Sequence, residues 1–316
     1  MSRTRLSTYT APPAEVARTL DALRAHYEVP TAFPPEALVE AEAAAGAWAQ
    51  DGPARLLADG ARDARDLELV TIDPPGSMDL DQAVLLECLT AQADQPAQAG
   101  VGTGGTPEPA ATYRVHYAIA SLATFVTPGG ALDAELRRRG ETIYAPDAAT
   151  PLHPEVLSHG AASLLEDAER PACLWTIDLD ERGEVVSARV ERALVRSRAR
   201  LSYAQVQASI DGESTLPRQV PADLPELLAE IGRLRLEREA ARGGISMTTP
   251  EQVVETTEAA QAAETAQAAE PAEPAGDAEP TEGPGPAGYR LAYRVPVPAE
   301  QYNAQISLLT GMCAAR

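Results

Sequence analysis

Apolar residues recur at helical spacing over residues 13–26 and 35–65, which predicts two helices at the start of the chain. The pattern then shortens. Residues 67–72 and 81–89 read as strands on either side of a turn rich in aspartate and proline. "YRVHYAIA" (113–120) reads as a further strand, and residues 129–140 as a helix stopped by Gly140. Residues 174–201 read as a hairpin that turns at Glu181-Arg182-Gly183 and has a long second strand. Residues 223–244 form an amphipathic helix closed by two glycines, residues 289–298 a strand, and residues 299–316 a last helix. That helix has no cap, and no later segment is there to cover its apolar face. The chain is therefore expected to be incomplete at its C-terminus.

Two stretches carry too little apolar content to pack. Residues 90–111 are rich in Gly, Ala, Gln and Pro and read as a surface loop insertion. Residues 255–287 hold eight acidic groups and no basic one, and read as a disordered acidic insertion. The elements together predict an α+β fold: a helical N-terminal lead-in over 1–51, then one larger domain over 52–316.

Composition narrows the function classes. Hydrophobic residues make up 44% of the chain, enough for a real core, yet no stretch of about 18 apolar residues exists, so no membrane span is expected. The N-terminus lacks the apolar run of a secretory signal. Cys88, Cys173 and Cys313 are far apart with no CxxC, which fits a reducing cytoplasm and argues against a zinc ribbon. His26, His116, His153 and His159 show no ligand spacing. The net charge of -21 argues at first against a polyanionic partner, but part of it sits in residues 255–287. Every Lys/Arg position is arginine, which an Ala-rich chain from a GC-rich genome explains by itself; arginine is still the better bidentate phosphate ligand.

The candidate chemistry lies in "LVTIDPPGSMDLDQAV" (69–84), where Asp73, Asp79 and Asp81 crowd the end of an apolar strand. Like charges that close require a compensating cation or full solvation. The stretch is either a solvated turn or a site for a hard divalent cation such as Mg2+. Such an ion suits phosphodiester hydrolysis, which needs an activated water and a neutralised leaving oxygen. A haloacid-type phosphatase would need its second aspartate at Pro75, which excludes that class. Period-2 alternation puts Arg196, Arg198 and Arg200 on one strand face, where they could follow a phosphate backbone or be balanced by nearby acids.

"TIDPPGSMDLDQA" resembles the aspartate signature of the RNase II/RNB family of exoribonucleases, roughly I-D-P-x-x-x-x-D-[FLM]-D-D-A. Three further stretches match in the family's order: "YRVHYAIASLATFVTPGGALDAELRRRGETIYAPD", "TPLHPEVLSHGAASLLEDAERPACLWTIDLDERGEV" and "ALVRSRARLSYAQV". The resemblance covers roughly residues 52–316. It implies an RNB-type domain that degrades single-stranded RNA from the 3' end to nucleoside 5'-monophosphates, with Mg2+ as cofactor. It also implies that Asp73, Asp79 and Asp81, with Gln82 as a fourth position, hold the metal. Asp81 aligns with the most critical aspartate. Tyr203 aligns with an active-site tyrosine near the scissile phosphate, and Tyr144 with an aromatic that stacks on the terminal base.

The sequence departs from the family at several places. The fourth acidic position is Gln82, a neutral ligand at best, or a residue that points away and bonds only backbone. "HIAD" is replaced by "AIAS", with Ala118 and Ser121. The second aromatic of the base clamp falls near Met247, which contacts a base face less well. A family acidic position falls near Gln305 and an asparagine near Gly311. The "SPIRRY" block that supplies catalytic arginines would lie beyond residue 316. Cold-shock and S1 domains are not expected in these residues, so RNA capture is expected to be weak. A non-catalytic RNA-binding relative with a degraded metal site is the alternative. An acidic protein-interaction module would rest on residues 255–287 alone.

Overall fold

The computed structural model describes residues 13–89, 110–245, 251–256 and 289–316. The predicted insertion at 90–111 lies almost wholly outside them. So does the predicted acidic insertion, of which only residues 255 and 256 are described. The chain divides into two compact units.

The larger unit comprises residues 34–138, 153–247 and 297–316. Its first helix, α2 (Pro35–Ala58), follows α1 (Pro13–His26) of the other unit. Pro35 supplies a preset φ at the start of α2. The helix runs without a break across the boundary expected at residue 51. It ends sooner than the apolar spacing suggests, because Arg62–Ala64 form a short strand, β1, on the edge of the sheet. Trp48 of α2 is buried, meets the Phe125 ring edge to face at 5.7 Å, and donates to the Glu169 carbonyl. Gly52, one turn on, is needed for this packing: a Cβ there would sit 2.4 Å from the Trp48 ring.

The sheet has seven strands: β1, β2 (Val70–Asp73), β3 (Gln82–Cys88), β4 (Tyr113–Ala120), β7 (Glu169–Leu179), β8 (Val185–Arg196) and β9 (Ala199–Ser202). Their order is β1-β8-β7-β4-β3-β2-β9. The outer pairs β1–β8 and β2–β9 are parallel and the rest antiparallel. The predicted long second strand of the 174–201 hairpin is thus two strands. β8 ends at Arg196, and after Ser197 and Arg198 the chain changes partner and runs beside β2. That connection spans about 10 Å at most. Yet β9 is one edge of the strand order, and β8 lies next to the other edge. The sheet therefore curls until its ends approach, and Arg198 N bonds the Leu69 carbonyl at the join.

One face of the sheet is covered by α4 (Tyr203–Ile210), α5 (Leu224–Ala241) and α6 (Pro298–Ala314). Val70, Ile72, Val84, Leu86, Val115 and Ile177 meet Leu224, Leu228, Ile231, Ile306 and Leu309 there. Ala299, Ile306, Leu309 and Cys313 of α6 are buried in this cluster, while Leu308 and Met312 of the same helix are exposed. Gly232 of α5 lets it approach closely, since a Cβ would meet Tyr302 at 2.5 Å. α4 was not expected from periodicity. Its signal is the capping box Ser202-x-x-Gln205: Gln205 N donates to Ser202 Oγ (3.2 Å) and Ser202 N to Gln205 Oε1 (2.8 Å). A second helix, α3 (Ala131–Arg139), has its first amides held by Glu40 of α2 at 2.8 and 2.9 Å.

The smaller unit comprises residues 1–33, 139–152 and 248–296. It holds α1, a minimal hairpin of β5 (Ile143–Tyr144) and β6 (Ala149–Thr150), and a second hairpin of β10 (Glu251–Thr256) and β11 (Tyr289–Arg294). Arg139 stacks over the Phe33 ring at 3.6 Å and donates to the Ala32 and Pro151 carbonyls. Among the described residues no helix is long and apolar enough to cross a membrane.

Candidate active site

The aspartate-rich loop joins β2 to β3 and is fixed at several points. Pro74-Pro75-Gly76-Ser77 is a turn closed by Ser77 N on the Pro74 carbonyl. Gly76 takes φ +86, which a type II turn demands at that position. Ser163 Oγ then accepts from Leu80 N (3.1 Å) and donates to the Met78 carbonyl (2.7 Å). Leu164 N bonds the Leu80 carbonyl, and Ala120 N the Asp81 carbonyl. Leu80 itself is fully buried in an apolar cluster with Leu69, Leu85 and Leu164. In an extended segment, side chains on either side of a residue share the opposite face. Burying Leu80 therefore turns Asp79 and Asp81 together away from the core.

Asp73 ends β2, across from Ser202. Its Oδ2 is buried and has no hydrogen-bond partner. Burial, then the charges of Asp81 and Asp79, push its carboxyl up to about 6; Arg200 opposes the rise. Asp81 is also raised, first by the protein packed around its carboxylate, and Asp79 adds to the effect. Arg200 reaches the loop itself, donating to the Ser77 carbonyl at 3.2 Å.

Gln82, the expected fourth ligand, faces another set of groups. Its Oε1 accepts from the Tyr117 hydroxyl and from Ser307 Oγ (3.1 Å), and those two hydroxyls lie 2.5 Å apart. An amide oxygen has two lone pairs, and both are used. The alternative of bonding to backbone alone is not what is seen either: the partners are side chains. Tyr117 was not singled out in the sequence. It stands on β4, and its pKa is pushed up to about 12, first by burial and also by the charges of Asp81, Tyr203 and Asp73. Tyr203 is the first residue of α4, packs into the core, and accepts weakly from Asn303 Nδ2 at 3.5 Å.

Tyr144 lies in the smaller unit, on β5, and is 74% exposed. Met247 lies outside the described residues. Arg196 ends β8, Arg198 sits in the connection, and Arg200 is on β9, so they do not share one continuous strand. Gln305 is buried and donates to Glu239 at 2.6 Å.

Among the described residues no group of three or more His, Cys, Asp or Glu side chains is arranged to hold a metal ion. The donor chemistry nevertheless fits a hard cation. The carboxylates repel one another, and Asp73 carries a buried oxygen with no partner. Mg2+ characteristically uses one or two carboxylates, with water and substrate phosphate for the rest.

Two results follow from this geometry. Between about pH 4 and 6 the folded protein keeps a proton on Asp73 that the unfolded chain has lost, so this group's contribution to stability falls as pH rises through that window. Asp73→Asn removes that loss. The variant should gain stability over the parent by ~1 kcal/mol at pH 7 after allowance for solvent screening, and nothing near pH 4. Thermal melts at both pH values check this, and added Mg2+ should close the gap. Gln82→Leu should lower stability by about 1–2 kcal/mol through loss of two partly buried hydrogen bonds. It should leave the Mg2+ titration of the parent unchanged; a rise in the Mg2+ requirement would make Gln82 a ligand.

The sequence pattern of the RNB domain matches residues 61–275. The chain is 32% identical over 204 residues to ribonuclease R of Acidithiobacillus ferrooxidans, covering 65% of this chain and 41% of that one. It is 33% identical over 195 residues to ribonuclease R of Escherichia coli, covering 61% and 22%. The chain thus spans less than half the length of these relatives. Among solved structures, Mycoplasma genitalium RNase R in complex with double-stranded RNA superposes with a TM-score of 0.60 at 18% identity, covering 94% of this chain and 40% of that one. The same protein in complex with ribose-methylated single-stranded RNA gives 0.59 at 21% identity, covering 78% and 31%. At these identities the superpositions speak for the fold.

Proposed function

The chain belongs to the RNB domain family, and from that premise we propose that it is a 3'-to-5' exoribonuclease that hydrolyses single-stranded RNA to nucleoside 5'-monophosphates. The observation that carries this is the aspartate loop. Buried Leu80 turns Asp79 and Asp81 to one side, and the self-repelling carboxylates include the unpartnered Asp73 oxygen. The RNA-bound Mycoplasma genitalium structures support RNA as the partner.

In this reading Asp73, Asp79 and Asp81 hold Mg2+, with Asp81 the critical member. The ion, when bound, activates water and neutralises charge on the reacting phosphate. Arg200 braces the loop at Ser77 and tempers the charge beside Asp73. Tyr203 orients the scissile phosphate from the first turn of α4, where the Ser202–Gln205 box fixes it. Tyr144 stacks on the terminal base, with Met247 as a poorer second contact. The protein is taken as cytoplasmic; Cys88, Cys173 and Cys313 are free thiols.

A second reading, an RNA-binding relative without catalysis, is favoured by one observation. The fourth acidic position is a glutamine whose oxygen is spent on Tyr117 and Ser307. RNA labelled at its 5' end separates the two. Hydrolysis from the 3' end shortens the labelled strand stepwise in the presence of Mg2+. RNA that binds and stays intact establishes the second reading.

A further inference from the structure

Gln82 stands where the aspartate signature carries an acidic residue, and the proposed mechanism leaves it unused. Its Oε1 accepts from the Tyr117 hydroxyl and from Ser307 Oγ at 3.1 Å. Tyr117 is 2% exposed, so these bonds mark the buried side of the amide. The two hydroxyls lie 2.5 Å apart and carry one hydrogen each. An amide oxygen facing them takes up both hydrogens. An NH2 group facing them would donate to both hydroxyls. Only one of their own hydrogens could then pass between them, and the other would lack an acceptor. The oxygen therefore faces inward and Nε2 outward. Nε2 has no hydrogen-bond partner among the described residues, yet it is not a buried atom, so it opens to solvent. An amide held this way is the reverse of a metal ligand. Its free end carries N–H donors, which repel a cation and suit the nonbridging oxygens of a phosphodiester.

The amide is also placed for that contact. Gln82 follows Asp81 directly, and the Asp81 carbonyl is fixed by Ala120 N. Leu80 packs with Leu69, Leu85 and Leu164, whereas Val84 packs in the cluster under α5 and α6. Alternation back from Val84 puts Gln82 on the helix side, so the chain bends at Asp81 instead of alternating through it. Ser307 lies one turn of α6 beyond Asn303, which donates to Tyr203. Side chains four apart on a helix are neighbours, about 5–6 Å apart at Cβ. One face of α6 thus meets both Gln82 and Tyr203, and Tyr203 follows Ser202, the strand partner of Asp73.

We propose that Gln82 is a catalytic residue that donates from Nε2 to a nonbridging oxygen of the scissile phosphodiester, with Tyr117 and Ser307 as positioning residues that keep the amide turned. The proposal rests on the exoribonuclease reading above. It gives the neutral fourth position a role that a carboxylate, an acceptor of like charge to the phosphate, could not fill.

The test is single-turnover hydrolysis by the full chain of RNA whose 3'-terminal linkage carries sulfur in place of one or the other nonbridging oxygen. Sulfur is a poor acceptor for an amide N–H. It is also a poor ligand for Mg2+, but Mn2+, the softer ion, relieves that second loss and not the first. With Mn2+ present, the parent should cleave one of the two sulfur diastereomers about tenfold or more slowly than ordinary RNA. Gln82→Leu, assayed well below its melting range, should cleave ordinary RNA about 10–100-fold more slowly, the loss of one hydrogen bond to a charged group. In that variant the difference between the affected diastereomer and ordinary RNA should vanish. Tyr117→Phe and Ser307→Ala should shrink the difference in part, and Ser307→Thr, which keeps the hydroxyl, should restore it. The Mg2+ midpoint of thermal stabilisation should stay at the parent's value in every variant. Hydrolysis by Gln82→Leu at the parent's rate overturns the proposal and leaves the exoribonuclease reading standing. So does a parent with no sulfur effect in Mn2+, or equal slowing of Gln82→Leu on ordinary RNA and both sulfur forms, which assigns Gln82 to the fold. A raised Mg2+ midpoint makes Gln82 a ligand and overturns it as well. If the unmutated chain leaves RNA intact, the exoribonuclease reading fails and this proposal with it.

Discussion

Asp81→Asn is expected to lower RNA hydrolysis by at least about 10²–10³-fold, the usual loss when one preorganised charge is removed from a phosphate-reacting site. The melting temperature should stay level or rise. Both expectations come from one environment. Protein packed around the Asp81 carboxylate and the neighbouring Asp79 already disfavour its charge. The folded chain therefore bears a strain at this position that an amide of the same shape relieves. RNA affinity measured without Mg2+ should change little, because a carboxylate makes no direct contact with a phosphate of like charge. Single-turnover kinetics, a binding titration and a thermal melt on the same preparation check all three. Undiminished hydrolysis would remove Asp81 from the mechanism.

Leu80→Ala should have the largest effect on stability. Leu80 is fully buried, and its truncation leaves a cavity beside Leu69, Leu85 and Leu164. Leucine-to-alanine changes at such sites cost about 2–5 kcal/mol. At roughly 2–4 °C per kcal/mol for a domain of this size, the melting temperature should fall by about 5–15 °C. Activity should also fall well below the melting range, by about 10–100-fold, because Leu80 is the anchor that turns the carboxylates on either side of it. The backbone bonds to Ser163 and Leu164 would remain, so the loop should persist in a looser form. A variant that melts early yet hydrolyses RNA at the parent's rate in the cold would show that the two aspartates are oriented by something else.

The legible parts of this fold are those with a local cause. "YRVHYAIA" carries strand composition over its whole length and becomes β4, Tyr113–Ala120. The apolar Leu80 between two aspartates gives both the buried anchor and the paired carboxylates. Gly140 closes α3 at φ +78, as its position after the helical pattern suggests. The parts that were missed depend on partners far along the chain. Arg62–Ala64 continue a helical pattern, but they become β1 because β8, more than a hundred residues later, offers an edge. The change at Ser197-Arg198 is invisible in the alternation, since residues keep alternating while the paired strand changes from β1 to β2. α4 could have been found from Ser202 and Gln205.

In the candidate site the same division holds. Asp73, Asp79 and Asp81 stood out by spacing, and Tyr203 by its place in a matched stretch. The environment of Gln82 did not. Its hydroxyl partners come from β4 and α6, and only the fold brings Tyr117 and Ser307 to it.

The central claim is that water attacks the terminal phosphodiester of RNA at this aspartate loop. The most direct measurement is mass spectrometry of the nucleotides released from single-stranded RNA by the purified chain with Mg2+ in water enriched in oxygen-18. Hydrolysis at phosphorus predicts nucleoside 5'-monophosphates carrying the heavy oxygen in the phosphate, released at least about 10²–10³-fold more slowly by Asp81→Asn. Intact RNA would contradict the account, as would mononucleotides whose phosphate carries no label.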